Sequence, residues 1–356
     1  MRVLLINFEM DRASPVLAWQ ARVATALAAQ CESVHVLTEK VGSYDAAPNM
    51  TVDVMPRWPF GIPKRFGGGV LVNWQLHRML KKYPCDVCFI HMAHTWAYRL
   101  WPALRLHGLP VLLWYAHGSV SWHLRLATAC VEKIITSTAE GFRINSPKKT
   151  VIGQAIDTNI FDVPTNRTVR PEIVYVGRIS ERKRIILLID VLNALRQITP
   201  EIPWSLKLVG PSLTSADAAY LVSVRKHIAA LHLEGCVQIM GSMTSAGTAE
   251  LYKTAAVHLN VSETGSMDKT VMEALACGCP VVTTNPAFYE ALSSIPGMYS
   301  ISSDPITLAE AILSVTRNPP QEADLRQLVS GKHDLNGWIA KIKAMLLDLQ
   351  RGKAGM

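Results

Sequence analysis

Twice along this chain, apolar runs of strand length alternate with longer segments whose apolar residues recur at helical spacing. That alternation is the pattern of βαβ units, and it confines the chain to α/β folds with parallel sheets. Residues 3–6 are a continuous apolar run, as a strand buried on both faces requires. Ser14 then reads as a helix N-cap with Pro15 in the first helical position, and Val16, Trp19, Val23 and Leu27 follow on one face. Further strands are expected at 33–37, 86–90, 111–114, 133–136 and 150–152, with helical segments around 70–83 and 94–107. A second series starts near Glu172 with a strand at 173–176 and a helix bearing Ile185, Leu188, Ile189, Leu192 and Leu195 on one face. Strands at 205–209, 237–240, 255–261 and 280–284 complete it.

At 356 residues the chain is long for one domain, and the two series predict two. The expected division is 1–163 and 171–333, joined by the polar stretch 162–170 with Pro164 as linker. The tail, 334–356, reads as a helix over 335–349 that returns to the first domain. The seven cysteines form no regular framework, which fits a reducing compartment better than a disulfide scaffold. The opening residues reach Glu9 and Asp11 without a long apolar run, so no secretory signal is expected. The most apolar stretch, 109–116, is far shorter than a bilayer span. A cytoplasmic protein, soluble or resting on the cytoplasmic membrane face, is the expectation.

The net charge of +8 is unevenly placed, since residues 1–150 hold 17 Lys+Arg against 9 Asp+Glu and the remainder balances. A basic half suits anionic lipid or a phosphorylated acceptor, or is a solvated surface without a partner. A nucleic-acid partner is not expected, because no RNA-binding aromatic signature or zinc finger accompanies the charge.

Two segments carry the chemistry. In the first, strand 174–176 runs into Gly177, Arg178 and then Lys183 at a helix start. Ligands of open α/β sheets sit beyond the carboxyl ends of strands, and cations beside a helix N-terminus suit a diphosphate. In the second, strand 255–261 ends in a loop containing Gly265, Ser266 and Met267, and a short helix starts near Asp268 and Lys269 and stops at Gly278. Such a loop aims backbone N–H groups at phosphate or sugar oxygens, while Glu273, about a turn into the helix, suits ribose hydroxyls.

With Val176-Gly177-Arg178, Lys183 and the run Glu273-Ala274-Leu275-Ala276-Cys277-Gly278-Cys279-Pro280-Val281-Val282, the chain resembles the retaining GT-B glycosyltransferases of glycosyltransferase family 4. Residues 151–161 resemble that family's crossing into its second domain. The resemblance implies two Rossmann-like domains facing each other across a cleft, with a nucleotide-diphosphate sugar held mainly by the second. It implies that Arg178 and Lys183 neutralise the departing diphosphate and that Glu273 holds the ribose. Gly177, Gly210, Gly265, Ser266, Met267, Asp268 and Lys269 would complete the donor side. It gives His117, in a strand-end His-Gly facing the cleft, a contact with the transferred sugar or its phosphate; a hydrogen-bonded turn residue is the plainer reading. His91 also ends a strand and reads as structural.

One departure stands out. The family has a second glutamate eight residues before Glu273, and Gly265 stands there. Glu263 lies two residues too early, so Ser266 to Lys269 are expected to grip the sugar instead. Asp268 reads equally well as a plain N-cap. No Asp-x-Asp pair occurs, so no metal is expected, and the nucleotide sugar is a co-substrate with no cofactor beside it. The expected reaction is sugar transfer to a glycan or lipid-linked acceptor. A sugar-nucleotide epimerase, a phosphorylase and an inactive sugar-nucleotide-binding partner are the alternatives.

Cys85, Cys88, His91 and His94 stand at regular intervals, but a buried strand over 86–90 turns Cys85 and Cys88 to opposite faces, against a zinc reading. Arg57, Trp58, Lys64 and Arg65, in a loop mixing cations, aromatics and turn residues, are the acceptor-side candidates. With Lys81, Lys82 and Tyr83 close behind, such a loop suits an anionic membrane surface or an inward-packed acceptor site.

Overall fold

A computed structural model describes the chain except Pro15 and residues 56–63, 263–264 and 355–356; the side chains of 64–68 and 353–354 are also outside it. Arg57, Trp58 and Glu263 therefore lie outside the described residues, and of Lys64 and Arg65 only the helical backbone is described. The chain forms two compact units, one of Met1–Gln154 with Leu335–Met356 and one of Ala155–Asp334.

The first unit is built on a parallel sheet of seven strands in the order β3-β2-β1-β4-β5-β6-β7. These are β1 (Arg2–Met10), β2 (Ser33–Val41), β3 (Met50–Val54), β4 (Val87–His91), β5 (Val111–Trp114), β6 (Lys133–Thr136) and β7 (Lys149–Val151). Val3, Leu4, Leu5 and Ile6 are wholly buried, as a central strand covered on both faces demands. The edge strand β3 was not anticipated. Half exposed along most of its length, it carries no continuous apolar run to betray it.

Helices α1 (Ala18–Ala28), α2 (Lys64–Lys82), α3 (His94–Arg99), α4 (Trp101–Leu106) and α5 (Trp122–Cys130) cover this sheet. Strand order reverses at β1, so right-handed crossovers put α1 on one face and α2 to α5 on the other. The side chains agree. Leu4, Ile6, Cys88 and Ile90 pack with Leu76, Leu104 and Leu124 in one cluster.

Two expectations change here. The helix predicted to start after Ser14 starts at Ala18, because the Ser14 hydroxyl accepts from the Leu17 N–H and donates to Glu9, with Val16 and Leu17 in a turn. The segment 94–107 is two helices that meet at Leu100, since Pro102 has no N–H to continue the first and Ala103 N–H donates to Asn73 Oδ1.

The C-terminal helix Leu335–Ala354 belongs to this unit. Its fully buried Trp338 packs edge-on against Trp114, ring centres 4.9 Å apart, and donates to the Gly153 carbonyl.

The second unit has a five-stranded parallel sheet in the order β10-β9-β8-β11-β12. Its strands are β8 (Arg170–Val176), β9 (Ser205–Val209), β10 (Val237–Gly241), β11 (Ala255–Asn260) and β12 (Val281–Thr283). Helices α6 (Ile185–Ile198), α7 (Ser215–Ala230), α8 (Ser245–Thr254), α9 (Lys269–Ala276), α10 (Tyr289–Leu292), α11 (Pro305–Arg317) and α12 (Glu322–Ser330) surround it. Residues 155–163, read from sequence as the end of the first domain, belong to this unit, and their Ile156 and Phe161 are buried in its core. The polar stretch 162–170 is pinned rather than free. Arg167 donates to the carbonyls of Tyr252, Lys253 and Ala255 that end α8, and Asp162 pairs with Lys253 at 2.8 Å.

Strand order reverses between β8 and β11, and the loops leaving these two strands flank the crevice where such sheets bind ligands. Those loops are the two segments the sequence singles out.

Candidate functional site

The loop after β8 depends on two glycines. The Gly177 N–H donates to Val209 O, and Ile179 N–H to Pro211 O, drawing this loop onto the one after β9. At Gly210, with φ +142°, a Cβ would lie 1.9 Å from the Gly177 carbonyl oxygen, so the two backbones meet only without a side chain there. Tyr175, buried below, donates its hydroxyl to the Arg178 carbonyl at 3.0 Å. The turn carrying Arg178 is thereby fixed from beneath.

From that turn Arg178 reaches Asp217 with two bonds, Nε to Oδ2 at 2.8 Å and Nη2 to Oδ1 at 3.0 Å. Asp217 also accepts from the N–H groups of Leu213 and Thr214 and forms a capping box with Thr214 at the start of α7. The Arg178 guanidinium, helped by these N–H groups, holds the Asp217 carboxyl at about 2. Such a bidentate pair orients the guanidinium, and the Arg178 side chain stays 46% exposed.

Lys183 lies in a single 3-10 turn and meets the loop after β11. Its Nζ donates to both Asp268 oxygens, at 2.9 and 3.1 Å. Asp268 stands at the N-cap position of α9, yet makes no side-chain cap hydrogen bond. The plain capping reading therefore does not describe it. Instead Oδ2 accepts from Asn260 Nδ2 at 3.0 Å and, more weakly, from Asn285 Nδ2 at 3.5 Å. Asn285 also donates to Ser266 O at 2.9 Å, and Thr283 Oγ1 donates to Asn260 Oδ1. Asn260 and Asn285 are buried, so the loop rests on a satisfied amide network at the carboxyl ends of β11 and β12.

The structure thus brings Lys183, Asp268 and Ser266 together and directs Arg178 to Asp217. Met267 packs against the core of the unit, Lys269 opens α9, and Glu273 sits half-buried one turn along it. Gly265 is buried with φ +69°, a conformation L side chains adopt with strain. A glutamate at this position would carry that strain, a physical reason for the departure from the family pattern.

His117, in the first unit, is exposed just beyond β5, with its N–H on Gly141 O and its Nδ1 accepting from Ser119 N–H. His91 is fully buried and meets the Trp19 ring edge-on at 4.1 Å, consistent with a structural role. Among the described residues, no group of three or more His, Cys, Asp or Glu could hold a metal ion.

Sequence reading missed Asp217, Asn260, Asn285 and His258. The Thr214-x-x-Asp217 capping box was legible. The asparagines had no signal, because their value lies in where β11 and β12 end. His258, wholly buried on β11, bonds the Val174 carbonyl through Nδ1, while its Nε2 has no partner among the described residues. Burial pushes its ring down to about 4. The folded protein keeps this ring neutral, so its contribution is complete above the unfolded value of 6.5 and is lost as pH falls toward 4. Across that window the protein should lose about 3 kcal/mol of stability, measured by denaturant unfolding, and His258→Gln should flatten the slope.

With this geometry in place, known proteins show what the chain resembles. Residues 170–318 match the model for glycosyl transferases group 1, and residues 21–148 match that for glycosyltransferase family 4. The chain is a glycosyltransferase with a family 4 domain and a group 1 domain. A mannosylfructose-phosphate synthase from Agrobacterium fabrum is 26% identical over 134 residues, a match covering 37% of this glycosyltransferase and 29% of that protein. The structure of Anabaena HepE with UDP and glucose superposes with a TM-score of 0.77 at 16% identity, covering 98% of this chain and all of that one. Sucrose-phosphate synthase from Thermosynechococcus elongatus gives 0.74 at 17% identity over 99% of both chains. These neighbours establish the GT-B fold of this glycosyltransferase.

Proposed function

We propose that the protein transfers a hexosyl group from a nucleoside-diphosphate sugar to a glycan or lipid-linked acceptor, with retention at the anomeric carbon and without a metal. The observation that carries this reading is the cluster at the carboxyl ends of β8 and β11, where Lys183 meets the loop of Asp268 and Ser266 above the buried Asn260 and Asn285. Breaking the bond from sugar to diphosphate leaves negative charge on the nucleotide, and cations already oriented there stabilise it most. Lys183 has one N–H beyond the two given to Asp268, and Arg178 has guanidinium N–H groups beyond the two given to Asp217. Glu273 accepts from the ribose, and the N–H groups of 266–269 bind the sugar.

HepE has been solved with UDP, with UDP and glucose, and with UDP-glucose, which supports a UDP-sugar as the first donor to test. A thermal-shift panel of UDP-, GDP- and ADP-sugars makes that test. One class, near a hundredfold above its Kd, should raise the melting temperature by on the order of 5 °C. Silence across all three classes would remove the donor-site reading.

A further inference from the structure

Residues 64–130 contain eight Lys and Arg but a single acidic residue, Asp86, which is already paired with Arg2 at 2.7 Å. This is the stretch that builds α2 to α5, all on one face of the first sheet. The outward side of that layer repeats one pattern on three helices. Trp74 is followed by Arg78 on α2, Trp101 by Arg105 on α4, and Trp122 by Arg125 on α5. A spacing of three or four residues puts each pair on one helical stripe. The tryptophans are 54%, 42% and 63% exposed, respectively. The Arg78 guanidinium lies 4.7 Å from the Trp74 ring centre, and that of Arg105 lies 5.8 Å from Trp101 and 3.9 Å from the Glu132 carboxylate.

Neighbouring residues tie these helices into one platform. Asn73 accepts from Ala103 N–H and donates to Arg99 O, His77 meets His107 at 2.9 Å, and Tyr98 meets His123 at 2.7 Å. The exposed rings therefore stand on a held surface. Beside them lie Val70, Leu106 and Leu126, exposed by 75%, 72% and 43%. A nucleic acid would use the cations and rings but gains nothing from these aliphatic side chains. A bilayer interface uses all three kinds, with Trp at headgroup depth, aliphatics below it and cations on anionic lipid.

We propose that the outward face of α2, α4 and α5 docks on an anionic membrane surface. This rests on the proposed transferase only for its consequence, that a lipid-linked acceptor is met at the bilayer.

The test is co-sedimentation of the full chain with vesicles of phosphatidylcholine alone or with about 30% phosphatidylglycerol, at low and raised salt. Binding should require the anionic lipid and weaken with salt. The variant Arg78→Gln/Arg105→Gln/Arg125→Gln should lose roughly a hundredfold in partitioning, at about fivefold per cation. Trp74→Ser/Trp101→Ser/Trp122→Ser should weaken binding by about tenfold or more while keeping its salt dependence. Both variants should keep the wild-type circular dichroism and the melting shift with donor. Equal binding to both vesicle types, unchanged binding by both variants, or stronger binding to duplex DNA than to anionic vesicles would each overturn the docking surface. A wild-type protein that binds vesicles but shows no shift with any nucleotide sugar would instead overturn the proposed reaction alone.

Discussion

Lys183→Ala is expected to lower kcat by about a hundred- to a thousandfold, the loss of one well-placed cation at a developing charge. The fold should survive, because Asp268 keeps its bond from Asn260 and stays half-buried. The loss has two physical sources that can be separated. Removing the ammonium withdraws its charge from the donor diphosphate and also leaves the Asp268 carboxylate uncompensated beside it. The double variant Lys183→Ala/Asp268→Asn cancels the second effect and not the first. If Lys183 serves the diphosphate, the double variant stays within about tenfold of Lys183→Ala, whereas recovery to near wild-type turnover would make the lysine only a counter-ion. Single-turnover rates with the donor identified by thermal shift provide the readout.

Gly210→Ala carries the largest expected effect on stability. The new Cβ would stand 1.9 Å from the Gly177 carbonyl oxygen and 2.7 Å from its carbon, in a backbone conformation L side chains rarely adopt. Since the contact is backbone to backbone, no side chain can turn aside, and the loops after β8 and β9 must separate. A cost of about 3 kcal/mol follows from overpacking plus strain, or roughly 6–12 °C in melting temperature for a unit of this size. The separation would also pull Arg178 from Asp217, so the donor-induced shift should shrink with the melting point. Gly235→Ala is the control, with nothing within 4 Å of its added Cβ. A Gly210→Ala protein melting within about 1 °C of wild type would refute the close packing.

What the sequence determined by itself follows from periodicity and local chemistry. Strands 111–114, 133–136 and 205–209 could be placed because each is an apolar run of strand length, and β5, β6 and β9 have those limits. The glycine turn after β8, the Gly/Ser loop after β11 and the arrest of α9 before Gly278 were legible for the same reason. Tertiary structure alone decided which side chains meet. Lys183 and Asp268 are far apart in the chain and touch because β8 and β11 are adjacent where strand order reverses. Asp268 had the composition of an N-cap, and the local rule failed because a lysine and two buried asparagines outbid the helix N–H groups for its carboxylate. The Trp-Arg stripes lie each along its own helix. Only the right-handed crossovers made them one face, because the sense of a crossover assigns a helix to a side of the sheet and a one-dimensional pattern does not.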